Sequence, residues 1–230
     1  MPSYADHIDV LADAATRFED VLRTGDRTAM VPSCPGWTVS DLGEHLAEIH
    51  RWALGQLTGT EPDAIVATDL ADRFSAGADE LVAALRARSA DTPSAAIYPP
   101  DSAATWARRQ GHETAIHLWD AMTASGDDPG LQAEHAADGV REVVADLYPR
   151  QVRLGRVEPL AATVVFACSD ADGEAVLVGT DPAAPSVRVT GRAEDLLLLL
   201  WGRRDPAVID LAVDGDRSAL DAALATALVP

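Results

Sequence analysis

Two short stretches of the sequence carry side chains that can bind a metal ion. Glu113 and His117 lie four positions apart in one stretch, and His45 lies in an earlier one. Helix positions four apart differ by ~40° around the axis, so Glu113 and His117 share a face and can chelate one ion. His112 and His117 are five apart and differ by ~140°. The spacing therefore does not match the HExxH motif of zinc proteases.

The earlier stretch also contains two histidines, His45 and His50, five positions apart. Only one of them should face a shared site, and His45 follows the apolar Leu42 by three positions, which points it toward the interior of a bundle. We therefore predict a metal site built from His45, Glu113 and His117. Two imidazoles and one carboxylate suit zinc or another divalent transition metal with an open coordination position. The alternative is an ordinary Glu–His pair on a solvated helix face.

Helices must position these residues. Apolar residues recur every three or four positions up to about residue 150, which predicts helices rather than strands. The first helix ends at Gly25 and the second is capped by Thr38 or Ser40. The third and fourth cover about 69–88 and 102–122, and a fifth is indicated after residue 140. We expect an antiparallel helical bundle.

Strand-like patterns follow Pro149. β-branched runs at 161–167 and 175–178 flank a hairpin turn signal at 170–173, and 186–190 alternates as a third strand does. An apolar helix at 194–201, a strand at 208–213 and a final helix at 217–228 complete the pattern. The predicted fold class is α+β, with a helical bundle domain over 1–150 and a small α+β domain over 151–230.

The charge balance excludes several classes of partner. Eighteen cations against 37 acidic residues leave a net charge of −19, and no basic cluster occurs. Such a chain is not expected to bind nucleic acid or an anionic membrane.

The two cysteines are far apart and form no CxxC motif, so no disulfide or cysteine zinc site is expected. No apolar run is long enough to span a bilayer and no signal pattern is present, so we expect a cytoplasmic protein.

The two histidine-bearing stretches resemble a known family. Residues 34–46 (CPGWTVSDLGEHL) and 111–121 (GHETAIHLWDA) resemble the mycothiol-dependent maleylpyruvate isomerase family, which belongs to the DinB-like metal-binding four-helix bundles. Its members carry a PGWT loop, a helix with a metal-binding histidine, and an ExxxH pair on a later helix. These positions correspond to His45, Glu113 and His117. Residues 187–203 resemble the family's small C-terminal domain, which is related in shape to sterol carrier folds.

The resemblance implies an activity. It implies a divalent metal, with zinc expected, and mycothiol, the low-molecular-weight thiol of actinobacteria, as cosubstrate. The metal makes the thiol a thiolate at neutral pH, which adds to an activated double bond of a small-molecule electrophile. Rotation and elimination then complete an isomerisation, whereas related enzymes stop after transfer of the thiol. The all-arginine, asparagine-free composition is compatible with an actinobacterial source.

Two other functions stay open at this point. One is a metal-dependent hydrolase with bound water as nucleophile, for which Glu44, Glu48 and His50 are the nearby candidates for a general base. The other is a non-catalytic protein that binds a metal or a small ligand.

Arg203, or its neighbour Arg204, is the candidate for binding an anionic substrate bidentately. The alternative for both is a solvated helix end that complements its own dipole.

Several further residues have two possible roles. Cys34 precedes a helix N-terminus, which favours a thiolate, or it simply packs in its loop. Asp120 could accept the N–H of His117 or form a salt bridge. His50 and His112 could orient ligands or lie on a polar face. Four tryptophans could wall a pocket or fill the core, and these are Trp37, Trp52, Trp106 and Trp119.

Overall fold

The chain divides into two compact units. A computed structural model describes residues 1–230, and the units cover Pro2–Gly130 and Leu131–Pro230. The sequence-based boundary at residue 150 differs from this division. The helices over 133–153 belong to the second unit, because the first of them packs against the helix over 193–200 and the π-helical turn after it packs against the sheet. A change from helical to strand-like pattern therefore does not mark the domain boundary here.

Four long helices form the first unit: α1 (Tyr4–Thr24), α2 (Val39–Thr58), α3 (Leu70–Arg86) and α4 (Ala103–Thr123). Helices α1 and α2 both pack against α3 and α4, which makes a four-helix bundle. Thr38 caps α2, with its side chain accepting from the Asp41 N–H and the Asp41 carboxylate accepting from the Thr38 N–H. This reciprocal cap fixes where α2 begins and hence which side chains face the bundle.

The bundle core is made of the apolar stripes predicted from the sequence. The Phe18 and Phe74 rings are fully buried and lie 5.0 Å apart, which joins α1 to α3. Leu42 and Leu46 of α2 are also fully buried. Burial of such side chains stabilises the bundle by about 1.5–3 kcal/mol each. None of the helices combines the length and hydropathy that crossing a bilayer requires.

The second unit is α+β, as predicted. It begins with α5 (Ala133–Glu142), a single π-helical turn (Val143–Leu147) and α6 (Tyr148–Arg153). A four-stranded sheet follows in the order β2-β1-β3-β4, in which β1 and β3 are parallel and the outer strands are antiparallel to their neighbours. The remaining elements are β1 (Thr163–Cys168), β2 (Glu174–Leu177), β3 (Ser186–Gly191), α7 (Ala193–Leu200), β4 (Ala212–Gly215) and α8 (Arg217–Leu224).

Several elements of the second unit differ from their predicted bounds. Helix α5 begins at Ala133, before the apolar residues from Val140 onward that indicated it, and β1 begins at Thr163 rather than at residue 161. The strand predicted at 208–213 starts only at Ala212. Asp205 closes a turn just before it, since its carboxylate accepts from the Ala207 N–H and its carbonyl from the Val208 N–H. Val208 is therefore exposed rather than paired in the sheet. The last helix ends at Leu224, four residues before the predicted end at residue 228.

Candidate metal centre

Helix α2 carries His45 in its second turn. The loop before the Thr38 cap places the Trp37 ring 5.3 Å from the His45 ring, in an edge-to-face arrangement. The side chain of His45 is 28% exposed, so its imidazole is accessible from solvent. Trp37 thus covers one side of the imidazole and leaves another side open.

Helix α4 brings the other two predicted residues to His45. Oε1 of Glu113 lies 3.3 Å from His45 Nε2 and 3.3 Å from His117 Nε2. The candidate ligand atoms of all three side chains lie within 4.8 Å of one another. The structure therefore brings together the three residues chosen from spacing alone.

The separations in this group, which we call the His45 cluster (His45, Glu113 and His117), fit a tetrahedral ion. Zinc lies ~2.0–2.1 Å from nitrogen or oxygen ligands, so two ligands at a tetrahedral angle are ~3.3 Å apart. The two histidine–carboxylate separations match this value. The donor set, two neutral nitrogens and one anionic oxygen, is one that zinc accepts with a further position open.

The second oxygen of Glu113 is engaged by a buried arginine. Arg109 Nη2 donates to Glu113 Oε2 at 2.9 Å, and the Arg109 side chain is 4% exposed. Burial by itself would raise the pKa of Glu113. Hydrogen bonds to His117 and His45 and the charge of Arg109 outweigh burial, and the pKa is held well below its usual range. Glu113 is therefore ionised, as a metal ligand must be.

The other ring nitrogen of His117 is held by Asp120. His117 Nδ1 lies 2.9 Å from Asp120 Oδ2, and Asp120 is fully buried. Burial tends to lower the pKa of His117, but Asp120 and Glu113 together outweigh it and raise the pKa to about 9. Of the two roles considered for Asp120, the structure supports the contact with the imidazole of His117.

The loop before α2 also contacts Asp120. Ser33 Oγ donates to Asp120 Oδ1, and Cys34 Sγ lies 3.6 Å from Asp120 Oδ2. Cys34, His117 and Asp120 form a second group of potential ligand atoms within 4.8 Å of one another. Both loop side chains are thus tied to the carboxylate that orients His117.

The other histidines of the two stretches lie outside the His45 cluster. His50 is fully buried, with Nε2 2.9 Å from Thr114 Oγ1, and burial lowers its pKa to about 4. His112 is also buried and its ring lies 5.7 Å from the His7 ring. The reading of His50 and His112 as a polar face is therefore wrong. The facing helices cover them.

The arginines singled out in the second unit are both engaged near α7. Arg203 Nη1 donates to the Trp201 carbonyl at 2.7 Å, and its guanidinium lies 5.5 Å from the Trp201 ring. Arg204 forms ion pairs with Glu194 and Asp195. The role of Arg203 in binding a substrate stays a prediction.

Two residues of the site, Arg109 and Asp120, have a signal in the sequence. Arg109 lies four positions before Glu113, and Asp120 lies three after His117, so helical spacing places both on the face that carries the cluster. Arginine does not ligate metals, so the spacing of candidate ligands does not single out Arg109. Its contribution follows only from the contact with Glu113.

Comparison with known proteins gives matches over most of the chain. The family model described as the mycothiol maleylpyruvate isomerase N-terminal domain matches residues 8–122, and the MDMPI C-terminal domain matches residues 134–222. A crystal structure of a histidine-to-alanine mutant of the mycothiol-dependent maleylpyruvate isomerase is 16% identical, with a TM-score of 0.60 and 94% of both chains covered. A second structure of the mycothiol-dependent maleylpyruvate isomerase is 15% identical, with a TM-score of 0.55 and the same coverage. Among curated proteins, none matches.

Proposed function

The chain belongs to the mycothiol-dependent maleylpyruvate isomerase family, and from this premise we propose that it is a divalent-metal-dependent enzyme that uses the thiol of mycothiol. The proposed reaction is the cis–trans isomerisation of a small electrophile of the maleylpyruvate type. Transfer of the thiol to such an electrophile is the variant of the same chemistry. We assign His45, Glu113 and His117 as the metal ligands, with zinc as the expected metal.

One observation carries this proposal most directly. Glu113 Oε1 is equally distant, at 3.3 Å, from the Nε2 atoms of His45 and His117. A divalent cation held by these three atoms lowers the pKa of a coordinated thiol, so that a thiolate is available at neutral pH. The open position of a three-ligand site is where such a thiol binds.

The surrounding residues prepare the three ligands. Once the Nε2 proton of His117 is released to make room for a metal, Nδ1–H donates to Asp120 and the Nε2 lone pair is directed at the site. Arg109 keeps the Glu113 carboxylate charged and restricts its rotation through a buried ion pair. Trp37 excludes water from one side of His45. The chain thus fixes the orientation of His117 and Glu113 before any metal arrives.

The proposed isomerisation consumes no co-reactant. The thiolate of mycothiol attacks a double-bonded carbon conjugated to a carbonyl, and the displaced electron pair moves onto the carbonyl oxygen. The former double bond is then single and rotates. Return of the electron pair expels the thiolate and leaves the trans isomer. When a proton is instead delivered to the adjacent carbon, the thioether persists, and this is the transferase outcome.

The hydrolase alternative requires a general base next to the open position. Glu44 is exposed and ion-paired with Arg73, and Glu48 is exposed on α2. His50 is buried with its Nε2 bonded to Thr114. None of these three candidates forms a hydrogen bond or ion pair with the His45 cluster, so the thiol reaction is the better supported proposal.

Arg203 is our proposed contact for the carboxylate of an anionic substrate. It is the guanidinium nearest the end of α7, and a planar guanidinium binds a carboxylate with two parallel hydrogen bonds. In an Arg203→Lys variant the KM for the electrophile should rise while the affinity for mycothiol is unchanged. An unchanged KM would remove Arg203 from the site.

The test of the proposal begins with the metal content of the purified protein. Mycothiol is then titrated into the zinc-loaded and the metal-free forms, and each form is assayed with maleylpyruvate. Stoichiometric metal, metal-dependent thiol binding and formation of the trans isomer are the expected results. Metal without thiol binding would favour the hydrolase or the binding protein. Failure to retain metal under loading conditions would overturn the proposal.

A further inference from the structure

A cavity of about 730 Å³ lies beside the C-terminal half of α2. Its wall is made by Trp52 and the following turns of α2, the loop 59–62 and the segment 93–95. Trp52 is 45% exposed, and its ring packs edge-on against the buried Trp106 ring at 5.1 Å. Trp106 is in turn fixed by a 2.8 Å hydrogen bond from its Nε1 to the Ala95 carbonyl. The exposed indole is therefore a rigid surface.

Polar residues line the same cavity as this indole. Gln56, Thr58 and Thr60 are among them. The Thr60 hydroxyl lies 3.1 Å from that of Thr58 at the same wall. A flat aromatic surface with hydroxyl and amide groups at its edge suits a ring that has apolar C–H faces and hydroxyls around its rim. Sugars and cyclitols are such rings.

The cavity and the His45 cluster lie along the same two helices. Trp52 follows His45 by seven positions on α2. The two side chains therefore differ by only ~20° around the helix axis and lie about 10 Å apart along it. On α4 the order is reversed, because Trp106 precedes Glu113 by seven positions. His45 contacts Glu113 and Trp52 contacts Trp106, so the tryptophan pair lies two turns from the cluster along the line between α2 and α4.

We propose that this cavity binds the polyhydroxylated part of mycothiol while the thiol reaches the His45 cluster. The inference rests on the proposed function. Mycothiol carries its cysteinyl thiol on a glucosamine joined to an inositol, and a separation of about 10 Å is within the reach of that molecule. Trp52 stacks on one ring, and the Gln56 amide pairs with hydroxyls. Trp52 is thus a specificity-determining residue for the thiol.

The first experiment tests the cavity without the metal or the thiol. The glucosaminyl-inositol fragment, which lacks cysteine, is titrated into the metal-free full-length protein while the tryptophan indole N–H resonances are followed by NMR. A saturable shift of the Trp52 indole, identified by its absence in Trp52→Phe, is the expected result. No shift at Trp52, or a larger shift confined to Trp37, would overturn the proposal.

The second experiment tests its use by the thiol. The Kd values of mycothiol and of N-acetylcysteine, which has no rings, are compared in the zinc-loaded wild type, Trp52→Ala and Trp52→Phe. Loss of an aromatic contact of this kind should weaken mycothiol binding about tenfold in Trp52→Ala. Trp52→Phe, which keeps an aromatic ring, should restore part of the affinity. The Kd of N-acetylcysteine should not change. Equal losses for both thiols, or none, would contradict the assignment.

Matched controls separate the two proposals. Val66→Ala, at a fully exposed residue outside the cavity, should leave both Kd values unchanged. Circular dichroism and urea unfolding of Trp52→Phe verify that the bundle stays folded without the Trp52 indole. If the zinc-loaded wild type binds neither thiol, the proposed function fails, and the fragment titration of the metal-free protein still decides whether the cavity binds the ring system.

Discussion

The Nδ1 atom of His117 lies 2.9 Å from a carboxylate oxygen of Asp120, which is fully buried three residues further along α4. A carboxylate in this position selects the imidazole tautomer whose Nε2 faces the site and strengthens that nitrogen as a ligand. The predictions below follow from this relationship and from the contacts around it.

Loss of a single ligand should abolish metal retention while the bundle stays folded. His45→Ala and His117→Ala each remove one of only three ligands, and His45 lies at a partly exposed position. Metal content after dialysis, with circular dichroism as the check on helicity, measures the effect. His50→Gln is the matched control, because His50 is a histidine of α2 outside the cluster. Full metal occupancy in His45→Ala or His117→Ala would contradict the ligand assignment.

Asp120→Asn should weaken zinc binding about 10- to 100-fold. The amide keeps the shape of the carboxylate but loses the charge that orients His117. Competition with a zinc chelator gives the Kd. The control is Asp128→Asn, since Asp128 accepts from Trp119 rather than from a ligand. Equal zinc affinity in Asp120→Asn and wild type would show that Asp120 does not position His117.

Arg109→Leu should destabilise the metal-free protein by about 3 kcal/mol, because it removes the buried guanidinium that pairs with the largely buried Glu113 carboxylate. Arg73→Leu removes a solvent-exposed pair with Glu44 and should cost less than about 1 kcal/mol. Urea unfolding of both variants gives the comparison. Equal losses of unfolding free energy in the two variants would show that the buried Arg109–Glu113 pair stabilises the protein no more than the exposed Arg73–Glu44 pair does.

His50 should make stability depend on pH. Its pKa is about 4 in the folded protein and about 6.5 in an unfolded chain. The unfolded chain therefore takes up a proton first as the pH falls, so stability present above pH 6.5 is lost toward pH 4. From these two pKa values, we expect the free energy of unfolding at pH 5 to be about 2 kcal/mol lower than at neutral pH.

The His50 contribution is isolated by comparison with His50→Gln, which cannot titrate. The free energy of unfolding of metal-free wild type and variant is measured in urea at pH 7.5 and pH 5. We expect the advantage of the wild type to shrink by about 2 kcal/mol between these two values. The same advantage at both pH values would mean that His50 is protonated in the folded protein at pH 5.

The local sequence was sufficient to predict the four helices of the bundle and the helix faces that carry the candidate metal ligands. The period of the apolar residues predicted α1 to α4 nearly to their ends, and the four-residue spacing placed Glu113 and His117 on one face. The predicted strand at 208–213 was less accurate. An apolar stretch does not reveal that Asp205 closes a turn and delays the strand to Ala212.

The sequence by itself determined the rotational position of each side chain on its helix, because the α-helical period depends only on the backbone of that segment. Only the tertiary structure decided that α2 and α4 face each other, and that His50 is buried while His45 stays accessible. The physical reason is that these contacts between helices join residues 60 to 90 positions apart in the sequence. Helical spacing carries no information about them.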